Sequence, residues 1–132
     1  MLNPLRLRPG DDLLLALEAV LHDMRLEAAF VVSGIGSLDR AALRHAGEHD
    51  VTVTEARYEI LSLQGTLSVD GAHPHMAVAD RAGQVRGGHV KPGCRIATTA
   101  EILLAVLPAA RFVRTPDAAT GYAELAIEAR GN

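Results

Sequence analysis

Two periods of hydrophobic and polar positions run along the chain. Leu13, Leu17, Val20 and Met24 recur at helical spacing, and Leu14 and Leu21 widen the stripe. Asp11 and Asp12 precede it, where carboxylates suit the exposed amides and positive dipole of a helix start. Arg25 stands at the far end, where a cation is favoured. These features predict one main helix over about 11–25. Elsewhere the pattern is strand-like. "PLRLR" alternates ahead of a Pro9-Gly10 turn and predicts a short edge strand. "AAFVVSGIG" predicts a strand ended by Gly34 and Gly36. "AALRHA" and "VTVTEARYEILSLQGTLS" predict further strands, and "RFVR" and "YAELAIE" a last pair around the turn "TPDAATG".

One segment stays open. In 98–107, Thr98 and Glu101 have the spacing of a capping box, which argues helix. The β-branched "CRIATT" before it argues strand. Connections are too short for repeated parallel crossovers. The pattern predicts an α+β fold in a single domain, 1–132: a largely antiparallel β-sheet packed against one helix.

Composition narrows the function classes. Of 132 residues, 48% are hydrophobic but only 3% aromatic, so the core rests on Leu, Val, Ile and Ala. The formal charge of −3, with no basic cluster, disfavours binding to nucleic acid through phosphates. The lone Cys94 rules out an internal disulfide and fits a reducing cytoplasm. "MLNPLRLRPGDD" lacks the apolar core of a signal peptide, and "ILLAVLPAA" is too short to span a membrane. The expectation is a cytoplasmic protein without a membrane partner.

Candidate chemistry concentrates in "GAHPHMAVADRAGQVRGGHV", residues 71–90. Strand alternation puts His73 and His75 on one face. A three-residue loop at 81–83 would set Asp80 opposite Gln84 and His75 opposite His89, with Gly83 at the left-handed loop position. Cβ atoms of a facing pair lie about 4.5–5.5 Å apart, and His73 would be a diagonal neighbour at roughly 7–8 Å. Three imidazoles could then share one ion, with zinc the default among divalent transition metals. A four-residue loop would turn His89 to the opposite face. Three histidines leave a fourth position open, as in catalytic zinc sites. Glu59 and Glu101 are the candidate catalytic bases or supporting carboxylates, and ordinary structural roles compete for both. Glu59 is placed on the same strand face as Leu61, Leu63 and Leu67. Cys94 is a conceivable fourth ligand and more commonly a small buried residue. His22, His45 and His49 are read as solvent-facing.

The pieces "RLRPGDDLLLALEAVL", "AAFVVSGIGSL", "YEILSLQGTLS", "GAHPHMAVAD", "GQVRGGHVKPGC" and "ATTAEILL" together resemble the PPC (plants and prokaryotes conserved) domain family, over almost the whole chain. The resemblance implies a stand-alone prokaryotic type that assembles as a homotrimer, with His73, His75 and His89 as metal ligands. It also favours a strand for 98–107. Plant members carry AT-hooks and use the segment matching "YEILSL" for contacts with transcription factors. Here "RLRPGDD" lacks the hook core, and Tyr58 stands where plants usually have phenylalanine. Three functions are weighed: a metal-binding module, a DNA-associated regulatory protein, and a metal-dependent small-molecule hydrolase.

Overall fold

The computed structural model describes residues 1–131, and in these it contains nine strands and one helix. Strand β1 (Leu2–Leu7) leads through the Pro9-Gly10 turn to helix α1 (Leu13–Asp23). The Asp12 side chain accepts from the Leu15 amide at 3.0 Å and from the Gly93 amide at 2.6 Å, so one carboxylate caps the helix and ties it to a distant turn. Leu13 and Leu17 are fully buried. Leu14, Val20 and Leu21 pack against the same core, whereas Met24 is exposed.

The remaining strands are β2 (Ala28–Arg44), β3 (Thr52–Thr54), β4 (Tyr58–Ser68), β5 (Gly71–Ala79), β6 (Val85–Val90), β7 (Arg95–Val106), β8 (Ala110–Pro116) and β9 (Ala123–Ala129). Seven form an antiparallel sheet in the order β1-β7-β2-β4-β5-β6, with β3 beside β2. The end of β2 also meets β6, pairing Leu43 with Val90 and Arg44 with His89. Strands β2, β4, β5 and β6 therefore close into a ring around the apolar core. Strands β8 and β9 form a separate hairpin. It docks where the Val69 amide donates to the Phe112 carbonyl and the Phe112 amide to that of Glu27.

The antiparallel sheet and single helix match expectation, but the sheet dominates, so the α+β description fits only in part. Residues 98–107 are strand, as the resemblance favoured. "AAFVVSGIG" and "AALRHA" are one continuous strand: Gly34 and Gly36 do not end it. Instead, β2 shifts register against β7 at Val31/Ser33, Gly36/Leu38 and Leu38/Arg40, and so bends across the sheet without breaking. A further shift between Ile60 and Ser62 changes the face assignment in β4. Glu59 and Leu61 are exposed, while Leu63 and Leu67 are buried. The four do not share a face, and Glu59 needs no buried partner.

Candidate metal centre

The β5–β6 hairpin has the three-residue loop. Asp80 and Gln84 are joined by an amide-to-carbonyl bond of 2.9 Å, and Gly83 has φ of 78°. The Asp80 carboxylate accepts from the Ala82 and Gln84 amides, both at 2.9 Å, which fixes the loop length. His75 consequently faces His89. His73 lies two residues back on the same face, and the three ring centroids are separated by 5.0, 4.7 and 5.2 Å.

One ring nitrogen from each of the three histidines lies within 4.8 Å of the others. A tetrahedral ion with bonds of about 2.0–2.1 Å holds its ligand nitrogens about 3.3 Å apart. The imidazole nitrogens thus already lie close to that spacing. The surroundings of His73 and His89 favour ligation too. Burial, then the neighbouring His73, Lys91, His75 and Arg44, pushes His89 down to about 4. His73 is also lowered, first by burial and then by Arg114 and His75, with Glu124 opposing. A neutral imidazole is the form that binds a metal. The donor set fits a borderline transition ion such as zinc.

These shifts give a stability prediction for the metal-free protein. In the unfolded chain His89 takes up a proton near pH 6.5, but in the folded chain only near pH 4. Between those values the unfolded state binds more protons, so stability is complete above about pH 6.5 and falls as pH descends towards 4. Solvent reaches part of the ring and screens it, so the loss amounts to about 1–2 kcal/mol. Urea titrations across that window should show it, and His89→Gln should flatten the dependence. An equally steep profile in the variant would refute this origin.

Two arginines flank the rings. Arg114 Nη2 donates to Thr66 Oγ1 at 2.9 Å and lies 3.1 Å from His73 Nδ1. Arg44 Nη2 lies 3.4 Å from His89 Nδ1. Arg44 reaches the site because β2 pairs with β6, and the bare Gly88 permits it: a Cβ there would come within 2.7 Å of the Arg44 carbonyl oxygen. Arg114 arrives on β8, whose position is fixed by its amide donating to Asp70 at 2.6 Å. A cavity of about 570 Å³ opens beside His73 and His89, and Arg44, Arg114, Glu48, Asp70 and Glu124 are among its lining residues.

The other sequence candidates lie elsewhere. Glu59 pairs with Ala79, four residues along β5 from His75, and Glu101 sits on β7, separated from β5 by β2 and β4 and from β6 by β2. The fully buried Cys94 thiol donates to the Ala42 carbonyl at 3.3 Å, and burial pushes its pKa up; both features suit a packed core residue rather than a ligand. His49 is exposed and lines the cavity. His22 is exposed, as expected, whereas His45 is half-buried, with Nδ1 3.0 Å from the Gly87 carbonyl, and so is not simply solvent-facing. Sequence reading missed Arg44 and Arg114. Only the long-range pairings bring them in, although "RHA" and "RFVR" do show arginines next to strands.

Residues 3–108 match the Plants and Prokaryotes Conserved (PCC) domain. The chain is 52% identical over 125 residues to the bifunctional protein GlmU of two Synechococcus strains, covering 95% of this chain but 20% of those proteins' length. A hypothetical protein from Salmonella enterica has a similar structure, with TM-score 0.96 and 42% identity, covering 98% of this chain and 94% of that one. The metal-containing protein AF0104 of Archaeoglobus fulgidus gives 0.77 and 27%, covering 94% and 91%. A Ralstonia eutropha protein provisionally named as DNA-binding gives 0.79 and 26%, covering 95% and 90%. Among the described residues no helix is long and apolar enough to cross a membrane.

Proposed function

Because the chain belongs to the plants and prokaryotes conserved domain family, we propose that it is a single-domain, trimeric metal-binding module of the cytoplasm. His73, His75 and His89 hold the ion, with zinc the first candidate. The observation that carries this reading is the hairpin register, which draws three imidazole nitrogens to within 4.8 Å of one another. The metal-containing relative from Archaeoglobus supports it. Elemental analysis of protein purified without a nickel column tests it. About one transition ion per chain is expected, and a metal-free protein that also takes up none on titration would remove the reading.

The trimer has its own support. Leu2, Ala105, Phe30, Thr66 and His73 are successive ladder partners across β1, β7, β2, β4 and β5, so they form one row on one face. Leu2 and Phe30 are exposed on that face, as are Ile35 and Leu61 elsewhere on β2 and β4. Large apolar side chains on an open sheet face favour burial against further copies of the chain. Light scattering should give about 42 kDa, three times 14.0 kDa, and Phe30→Asp should shift the mass towards one chain. A monomeric wild-type protein would overturn the assembly.

DNA association is the second reading, and the Ralstonia relative favours it. The formal charge of −3 weighs against it. A salt-dependent gel shift with duplex DNA would promote it, and no shift at low salt would dismiss it.

A further inference from the structure

Both arginines beside the histidines point guanidinium N–H groups at an imidazole Nδ1. An N–H donor there needs a lone pair on that nitrogen. Metal ligation removes the lone pair whichever nitrogen binds. If Nδ1 is the ligand, its lone pair is given to the ion. If Nε2 is the ligand, the neutral ring carries its proton on Nδ1, which then repels a second donor. In either case Arg44 and Arg114 lose these acceptors, and their free N–H groups remain at the wall of the cavity.

Charge changes in the same direction. The cavity is lined by two guanidiniums and by three carboxylates, those of Glu48, Asp70 and Glu124. The formal balance is one net negative charge without an ion and one net positive charge with a divalent one. A volume of about 570 Å³ holds more than a water molecule and suits a small organic ligand.

Building on the metal reading above, we propose that the loaded site is a receptor for a small oxyanion, a phosphate or carboxylate group, seated between the ion and the Arg44 and Arg114 guanidiniums. The planar fork of arginine matches both groups in bidentate fashion. The carboxylates at the cavity wall then select ligands that bring hydroxyl or ammonium donors beside the anionic head.

The test uses the full chain loaded with cobalt(II), whose visible absorption reports its coordination, titrated with inorganic phosphate and separately with acetate. Saturable spectral change is expected with at least one. Phosphate alone assigns phosphate esters, acetate alone assigns carboxylates, and both assign oxyanions in general. Arg44→Gln and Arg114→Gln should hold as much cobalt as the wild type but need at least tenfold more anion. Having both variants guards against a folding defect in Arg114→Gln, since that side chain also bonds Thr66. The proposal falls if cobalt binds and neither anion alters the spectrum, or if both variants bind anion as tightly as the wild type. It falls too if calorimetry shows equal anion binding to metal-free protein. Failure to take up cobalt at all would instead strike the metal reading, and the receptor with it.

Discussion

His75→Ala should strip the protein of its metal while leaving the fold intact. His75 is the exposed member of the cluster, so truncating it removes little packing. It is also the residue directly across the ladder from His89, and without it only two imidazoles remain to grip an ion. Loss of a direct ligand should cost more than the 10–100-fold typical of supporting residues, so affinity should fall by more than about 100-fold. Elemental analysis of wild type and variant, prepared side by side without a nickel column, gives the answer. The melting temperature of the metal-free variant should stay near that of the metal-free wild type. Full metal content in the variant would sink the three-histidine site.

Gly65→Ala should damage both fold and site. Gly65 faces Pro74, the residue between His73 and His75. A Cβ at Gly65 would lie 2.5 Å from the His73 carbonyl oxygen and 2.7 Å from Pro74 Cα. Those are backbone atoms of a paired strand and cannot swing aside like a side-chain tip. The added methyl must lever β5 away from β4, breaking ladder bonds and displacing two of the three imidazoles. Overpacking of this kind costs about 1–3 kcal/mol or more, a fall in melting temperature on the order of 10 °C for a chain of this size. Thermal unfolding followed by circular dichroism, with metal titration at a temperature where the variant is folded, measures both effects. A variant with unchanged melting and metal affinity would show that the strands can part at no cost.

What could be read from the sequence follows the range of the interactions involved. Helix α1 and the β5–β6 hairpin are set by neighbours in the chain: Asp12 as a cap, Gly83 as a loop residue, alternation of side chains on either side. The convergence of His75 and His89 was therefore legible. Glu59 was misassigned because the register shift at Ile60/Ser62 interrupts the alternation that placed it with Leu63 and Leu67. Nothing in the local pattern of "YEILSLQG" announces a bulge. Arg44 and Arg114 escaped for another reason. One depends on β2 bending far enough to pair with β6, and the other on a terminal hairpin docking against the β4–β5 turn. Both are contacts between segments more than forty residues apart. The same holds for the row linking Leu2 to His73, which exists only once five strands are aligned.

The hairpin that carries the ligands bears on when an ion can first be captured. His73, His75 and His89 sit on two adjacent strands joined by a three-residue turn, so little chain entropy is lost in bringing them together. The surrounding ring needs β2 to meet β6 and is closed by contacts far more distant in sequence. A nascent chain can bring the three proposed ligands together while most of the sheet is still unformed. On the proposed metal reading, an ion held at that stage would speed folding to the extent that the hairpin is already formed in the transition state. Affinity for the partly folded chain also limits how far added metal raises the melting temperature.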